Sequence, residues 1–349
     1  MRKLLILKRR NQNDYKPPFV LSFIEDNFVS LWKLRFSLIG TLAAIIGLST
    51  LFFTFIMALA GVNLLFMPFI VVAFNIVQWL IAPYLIDAIY HVKEVTPSED
   101  PNLHAMVDKL STKSRIKKPR LMKAKMAIPN AFAYSSPIAG SRVAVTTGLL
   151  ETLDTEEVEA VIGHELGHLK HRDVQVMMFV SILPAIFYYI GYSMLLSSMF
   201  SRRDSRDSGG AAIIGLASIL IYWILTIFTL YLSRIREYYA DRHSASIVED
   251  GSRKLSEGLA KIVNSTNRVK QNSRNKSTGS SSFKALFISD PDRSEVDSAA
   301  LAQLGRGIDD RKLVEGVLRR KVTTFDKVME IFSTHPNIVK RLKALQELD

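Results

Sequence analysis

Four long stretches of the sequence contain no Asp, Glu, Lys, Arg or His, and they constrain the fold more than any other feature. They run from Phe36 to Ala60, from Leu64 to Ile86, from Val174 to Phe200 and from Gly209 to Ser233. An α-helix rises about 1.5 Å per residue, so about 20 residues cross the roughly 30 Å hydrocarbon layer of a bilayer. Helices buried in soluble proteins rarely run so far without a polar face. The pattern therefore predicts four transmembrane helices.

Composition narrows the chemistry that the chain can carry. Hydrophobic residues make up 48% of the sequence, and there is no cysteine. A disulfide, a cysteine-ligated zinc and a cysteine nucleophile are thereby excluded, so any metal must be held by histidines and carboxylates. The net charge is +12, but the basic residues cluster beside apolar segments, as expected for contacts with lipid headgroups. No nucleic-acid recognition motif accompanies the charge, and nucleic acid is not expected as a partner.

The orientation in the membrane is predicted from the charges that flank the first two apolar stretches. The segment before Phe36 is strongly basic, whereas the turn at residues 61–63 carries no charge. The basic residues are Arg2, Lys3, Lys8, Arg9, Arg10, Lys16, Lys33 and Arg35. Cytoplasmic loops are enriched in such residues, so we expect a cytoplasmic N-terminus in the cell membrane. Arg202, Arg203 and Arg206 in the loop before the fourth stretch oppose this orientation, although two aspartates lie among them.

Each pair of crossings returns the chain to the same side, so we expect every soluble part to be cytoplasmic. The predicted order is a basic segment (1–35), transmembrane helices 1 and 2 (36–86), a first soluble part (87–173), transmembrane helices 3 and 4 (174–233) and a second soluble part (234–349). The fold class is therefore a multi-pass α-helical membrane protein with a mainly α, α+β soluble domain. Residues 264–282, rich in Ser, Asn, Lys and Gly, predict a mobile loop.

A small sheet and a helix are predicted in the first soluble part. Alternating apolar residues over Leu121–Ile128 and Arg142–Thr147, with turns beside them, indicate a small antiparallel sheet. Asp154 and Glu157 have the spacing of a capping box ahead of an apolar helical pattern. A helix is therefore predicted to begin there.

This predicted helix carries the motif His164-Glu165-Leu166-Gly167-His168. Residues four apart on a helix differ by about 40° in direction, so His164 and His168 lie on one face and can share a metal ion. Glu165 lies about 100° from His164, near enough to hold a metal-bound water without coordinating the metal. Because only 7 histidines occur in the chain, a chance match is improbable. The pattern predicts hydrolytic zinc chemistry with Glu165 as the general base.

Catalytic zinc usually has three protein ligands, so a third must come from elsewhere. The candidates are His171, Glu237, His243 and His335. Glu237 is favoured because two crossings separate it from His168, which puts both residues at one membrane surface at similar depth. Asp241 shares its helical face and could orient His164 or His168 through the nitrogen that does not bind metal. A carboxylate paired with Arg234 or Arg236 is the alternative for Glu237.

These motifs together resemble the HtpX heat-shock membrane proteases, which are relatives of the type I CAAX prenyl proteases. The resemblance rests on His164–His168, on Glu237–Asp241 two spans later, on residues 129–133, and on His335-Pro336 with Arg341. It implies a gluzincin-type metallopeptidase domain. It also implies that one Zn²⁺ is held by His164, His168 and Glu237, with Glu165 as the catalytic glutamate.

Further roles follow from the resemblance and from local pattern. His335 is a candidate donor to the oxyanion of the reaction, with a plain helix-start histidine as the alternative, and Arg341 is a candidate support for the zinc ligands. Asn130, Ala131, Phe132 and Ala133 could bind substrate as an added β-strand. An ordinary sheet edge is the alternative for these four residues.

The resulting functional hypothesis is a zinc-dependent membrane endopeptidase that degrades misfolded or damaged membrane proteins under stress. Its expected partners are membrane-protein or unfolded polypeptide substrates and the lipid bilayer, and the sequence leaves the oligomeric state open. One alternative is a specific processing protease such as a prenyl-protein endopeptidase. Another is a membrane chaperone or adaptor that binds zinc without turnover, which the presence of Glu165 disfavours.

Overall fold

Long apolar helices and one small sheet make up the part of the chain that the structure, a computed structural model, describes: residues 66–200, 207–273 and 310–348. The helices are α1 (Met67–Ile89), α2 (Pro101–Ser114), α3 (Thr147–Thr152), α4 (Thr155–Lys170), α5 (Asp173–Phe200), α6 (Asp207–Ile247), α7 (Gly251–Ser273), α8 (Asp310–Leu318), α9 (Thr324–Ile331) and α10 (Ile338–Gln346). The strands are β1 (Val92–Glu94), β2 (Arg120–Ala124), β3 (Ala131–Ser136) and β4 (Gly140–Thr146). The predicted class of a mainly α protein with a small sheet is confirmed.

Three of the described helices, α1, α5 and α6, are long and apolar enough to cross a membrane. They coincide with the second, third and fourth apolar stretches, while the first stretch, from Phe36 to Ala60, lies outside the described residues. Large apolar side chains project outward from them, with Phe69 71% exposed and Phe228 63% exposed. Such surfaces suit hydrocarbon and not water.

Helices α5 and α6 pack closely, because small residues lie where they meet. A Cβ atom added to Gly191 would lie 3.0 Å from the carbonyl oxygen of Gly215, and one added to Gly215 would lie 3.0 Å from that of Gly191. Small residues let the backbones of membrane helices approach in this way.

The predicted end of the fourth span at Ser233 is not the end of its helix. Helix α6 continues without a break to Ile247.

The four strands form a mixed sheet in the order β1-β2-β4-β3. Strands β3 and β4 are an antiparallel hairpin, and β1 pairs antiparallel with β2. Strands β2 and β4 pair in parallel, with Leu121 opposite Val143. The predicted antiparallel pairing of these two segments is therefore wrong. Strand β3 lies between them in sequence and takes one edge of β4, so the chain reverses twice and β2 joins the other edge in the same direction as β4.

Helix α4 lies in the core of the soluble part. Its first turn is fixed by the predicted capping interaction, since the backbone N–H of Asp154 donates to Glu157 at 2.9 Å. The apolar residues of the predicted helical pattern, Val158, Val161, Ile162 and Leu166, are all buried. Helix α4 contacts β3 on one side and α6, α7 and α2 on others. Both histidines of the motif are thus carried by a helix that is held on several faces.

The predicted mobile loop over 264–282 is wrong in its first part, because helix α7 continues to Ser273. Ile262, Val263 and Thr266 are buried. Their packing against the protein stabilises the helix where the polar segment begins. Once a helix is nucleated, each further residue adds a hydrogen bond at low cost. Residues 274–282 lie outside the described part of the chain.

Candidate metal centre

The two histidines of the motif face one another across one turn of α4. Their Nε2 atoms are 3.2 Å apart, and their rings meet edge to face with centroids separated by 4.7 Å. His164 is fully buried and His168 is half-buried. The geometry expected from residues four apart on a helix is therefore present.

Glu237 completes the group from α6. Its Oε2 lies 3.6 Å from Nε2 of His164, and its Oε1 lies 3.6 Å from Nε2 of His168. The close approach depends on Gly167, where an added Cβ would lie 3.0 Å from the Cα of Ala240. Any larger residue at position 167 would push α6, and Glu237 with it, away from α4.

The spacing of these three ligand atoms fits a metal ion. The atoms of His164, His168 and Glu237 that could ligate all lie within 4.8 Å of one another. Ligands bonded at about 2.0–2.2 Å in a tetrahedron around zinc are about 3.4 Å from each other. The separations of 3.2, 3.6 and 3.6 Å lie on either side of that value. Two imidazoles and one carboxylate are also a ligand set that zinc accepts in catalytic sites.

Each histidine is oriented by a carboxylate at its other ring nitrogen. Nδ1 of His164 lies 2.9 Å from Oδ1 of Asp241, which agrees with the role predicted for Asp241. Nδ1 of His168 lies 2.6 Å from Oδ2 of Asp173. An acceptor at Nδ1 holds the proton there and leaves the Nε2 lone pair directed at the site. Both imidazole rings are thereby oriented with Nε2 toward the site.

Asp173 was not predicted from the sequence. It follows the motif as the first residue of α5, and the chain turns sharply before it at Arg172, whose φ is 53°. This turn carries Asp173 back toward His168. The available signal was a carboxylate placed just after a metal-binding helix, but its distance from His168 depends on the turn and not on helical spacing.

Arg341 ties the two acidic residues of α6 together. Its Nε and Nη2 donate to Asp241 at 2.9 and 2.6 Å, and its Nη1 lies 3.2 Å from Glu237. All three side chains are buried. Burial alone would raise the pKa of Asp241, but Arg341 and His164 hold it below the usual value. Burial also opposes ionisation of Glu237, yet His335, His164 and Arg341 lower its pKa well below the ordinary range. Both groups are carboxylates at neutral pH.

Glu165 differs from these carboxylates in its surroundings. It is 3% exposed, and burial raises its pKa, although the two histidines and a hydrogen bond from the backbone of Ala133 act in the opposite direction. A carboxylate with a raised pKa holds a proton more readily, as a general base requires. Glu165 borders the same cleft as the three candidate ligands.

The cleft is formed by β3 on one side and by α4, α5, α6 and the segment before α10 on the others. Of the sequence candidates for substrate binding, Ala131, Phe132 and Ala133 line it, together with His335. Nε2 of His335 lies 3.8 Å from Oε1 of Glu237, and its Nδ1 is 3.0 Å from Oγ1 of Thr334. Asn130 is buried at the start of the strand, where its backbone N–H donates to Thr146 at 2.9 Å.

Two other histidines considered as ligands do not join the group. His171 is exposed at the end of α4, with its ring 5.9 Å from that of Tyr239. His243 is hydrogen bonded to Ser114 at 2.9 Å. Burial, helped by Lys170, lowers the pKa of His243 to about 4, so it is neutral at pH 7.

A second group of carboxylates, Asp154, Glu157 and Asp310, has the spacing of a cation site. The ammonium of Lys261 lies among them, at 2.8 Å from Asp154, 2.8 Å from Glu157 and 3.0 Å from Asp310. The lysine supplies the positive charge, and the cluster joins α4, α7 and α8 as a structural contact.

Comparisons with known proteins agree with this geometry. A sequence profile described as Peptidase family M48 matches residues 97–349. A protease HtpX homolog of Thermoplasma acidophilum is 36% identical over 324 residues, which cover 92% of this chain and 94% of that protein. The protease HtpX homolog of Picrophilus torridus is 35% identical, with 91% and 98% covered. The structure of S. mikatae Ste24p is similar in fold, with a TM-score of 0.53, 14% identity, and 91% of this chain and 67% of that chain covered.

Proposed function

Because the chain belongs to peptidase family M48, in the group of protease HtpX homologues, we propose that it is a zinc-dependent endopeptidase acting at the membrane surface. The observation that carries the proposal is the meeting of His164, His168 and Glu237, with Glu165 beside them in one cleft. His164, His168 and Glu237 would hold the ion. A structural zinc site has no use for a buried general base at its edge, whereas peptide hydrolysis requires one.

The residues divide the reaction between them. Bound zinc supplies the Lewis acidity that lowers the pKa of water and polarises a peptide carbonyl. Glu165 accepts the proton of the attacking water on its carboxylate and then donates it to the leaving amine. Asp241 and Asp173 keep the imidazoles in position through their Nδ1 atoms. His335, which also lines the cleft, is proposed as a hydrogen-bond donor to the developing oxyanion.

The substrate is proposed to bind as an extended strand along β3. In an antiparallel pair of strands, every second residue directs its backbone N–H and C=O at the neighbouring strand. Asn130 is such a residue, since its carbonyl accepts a hydrogen bond from the backbone N–H of Thr146 at 3.0 Å. Ala131, Ala133 and Ser135 therefore direct theirs away from β4. Ala131 and Ala133 line the cleft. The backbone of Ala133 already hydrogen bonds to Glu165, but the other outward-facing main-chain groups of this edge can bind any extended peptide.

Trp79 of α1 closes one end of this edge. Its indole N–H donates to the carbonyl of Ser135 at 3.2 Å, which is the next outward-facing residue after Ala133. Gln175 of α5 contacts the side chain of the same serine at 3.5 Å. Two membrane helices thus stand where a longer substrate strand would continue. We propose that the bound strand ends beside Ala133 and that the polypeptide turns away at Trp79.

The proposed substrates are misfolded or unfolded polypeptides, including membrane proteins, cleaved on the cytoplasmic side. Main-chain recognition along β3 favours chains that are locally extended over chains of one sequence. The position of Glu237 supports access from the membrane, because α6 leaves its apolar segment at Ser233 and reaches the ligand one helical turn later. Segments that emerge from the bilayer unfolded are then within reach of the cleft.

Substitution of Glu165 by Gln tests the proposal. We expect the purified variant to keep its zinc and to lose casein cleavage by about 10²- to 10⁴-fold, the usual contribution of general acid–base catalysis. Glu156→Gln, at an exposed position on the same helix, is the matched control and should cleave like the wild type. Equal cleavage by wild type and Glu165→Gln would mean that this site does not carry the activity.

A further inference from the structure

Helix α9 buries two acidic side chains, together with Met329, and leaves large apolar side chains on its other face exposed. Asp326 and Glu330, one turn apart, are 6% and 7% exposed. On the opposite side Val328, Ile331 and Phe332 are 46%, 42% and 53% exposed. Helices on the surface of a water-soluble protein have the reverse arrangement.

The inward direction of the polar face is fixed by specific contacts. Asp326 accepts from the backbone N–H of Thr323 at 2.9 Å and from Arg320 at 3.1 Å. Glu330 accepts from the backbone N–H of Asn337 at 3.1 Å and from Lys340 at 2.5 Å. Rotating α9 to bury its apolar face would break these bonds and leave buried backbone groups unsatisfied. The exposed apolar face is therefore a built feature of the fold.

The C-terminal end of α9 is attached to the end of a membrane-spanning segment. Arg234 donates to the backbone carbonyls of Glu330, Ile331 and Ser333 at 2.7, 3.1 and 2.8 Å. Arg234 is the first charged residue after the apolar stretch that ends at Ser233, and such residues lie at the level of the lipid headgroups. Its guanidinium is also 5.8 Å from the ring centre of Tyr231, an exposed aromatic residue typical of that level.

Basic side chains on and near α9 also fit a position at the level of the lipid headgroups. Lys327 is exposed on the helix itself, and Lys321 is exposed three residues before it. Arg319, just after the end of α8, has an 82% exposed side chain that also pairs with Glu315 at 3.3 Å. Basic residues beside an apolar helical face are typical of helices that lie in the interface of a membrane, where they contact anionic headgroups.

We propose that α9 lies in the plane of the membrane surface and inserts Val328, Ile331 and Phe332 into the bilayer next to the end of α6. The lipid surface is then continuous from the outside of α6 to the outside of α9. His335 follows Phe332 after only two residues, so this insertion holds that wall of the cleft at a fixed height above the hydrocarbon. The proposal concerns lipid contact, and it stands or fails independently of proteolysis.

Single-cysteine spin labels test this placement, because the natural chain has no cysteine. Val328→Cys and Phe332→Cys are labelled in the full chain and reconstituted in vesicles of phosphatidylcholine and phosphatidylglycerol. Lys343→Cys, at an exposed position on α10, is the matched control. We expect labels at 328 and 332 to collide more with oxygen, which concentrates in the bilayer, than with a water-soluble nickel complex. The label at 343 should show the opposite order.

Two results would overturn the proposal. If the labels at 328 and 332 collide with nickel as readily as the label at 343, the face is in water. If both labels are shielded from oxygen and from nickel, the face is covered by protein, either a second copy or another segment of this chain. Each labelled variant is first checked for wild-type zinc content, which separates a displaced helix from a damaged fold.

Discussion

At the residue scale, the chemistry of the site depends on which nitrogen of each histidine is free. His164 and His168 were identified from their spacing alone, because helical geometry puts residues four apart on one face. Their orientation depends on Asp241 and Asp173, which come from two different helices. Asp241 could be predicted because it shares a helical face with Glu237. Asp173 could not, because a turn with a positive φ at Arg172 brings it to His168.

Asp173→Asn should weaken metal binding without removing a ligand. The amide oxygen still accepts the hydrogen bond from His168, but the negative charge that makes the imidazole a better ligand is lost. We expect zinc affinity to fall by roughly 10- to 100-fold, the usual effect of changing such a partner. Competition with a chelator of known affinity measures it. The control is Asp108→Asn, a substitution at an exposed position on α2. An unchanged zinc affinity in Asp173→Asn would show that Asp173 serves only as the first residue of α5.

At the element scale, helix α6 joins one of the long apolar segments to the candidate metal centre. It spans 41 residues, about 60 Å at the usual rise, and carries both an apolar segment and the proposed zinc ligand Glu237. The length of the stretch and its lack of charged residues predicted its apolar part, which ends at Ser233, but they did not show that the helix continues to Ile247. The pairing of β2 with β4 was also predicted wrongly, since alternation of apolar residues shows which face of a strand is buried and not which strand lies beside it.

The position where the bound substrate strand ends can be tested by removing the side chain of Trp79. Trp79→Ala should free the carbonyl of Ser135 and remove the indole that blocks the edge of β3. Peptides long enough to pair beyond Ala133 should then gain about 2- to 10-fold in kcat/KM relative to shorter ones, the value of one added hydrogen bond. Wild-type enzyme should not distinguish the two lengths.

Trp223→Ala is the control for this change, since Trp223 is an exposed tryptophan on the apolar part of α6. A length preference that is the same in the wild type and in Trp79→Ala would contradict the proposed end of the cleft. Loss of cleavage for both lengths would instead indicate that α1 is needed to hold β3 in place.

At the scale of the whole molecule, the candidate metal centre is assembled from segments that the long apolar helices separate in sequence. Helix α4 precedes α5 and α6, the proposed ligand Glu237 follows the apolar part of α6, and Arg341 comes from α10. The crossing count could pair His168 with Glu237 because it needs only helix lengths and charge. Counting crossings could not predict the contact between Arg341 and Asp241, since a long-range pair between two buried charges leaves no periodic signal in the sequence.

The central claim is that His164, His168 and Glu237 form one zinc site, and the zinc content of purified Glu237→Ala tests it most directly. Mass spectrometry of metal per chain should give about one zinc for the wild type and for Asp250→Ala, an exposed control, as expected for a single three-ligand site. Glu237→Ala, with only two histidines left, should retain little zinc after dialysis against a weak chelator. Zinc at wild-type stoichiometry in that variant would contradict the account.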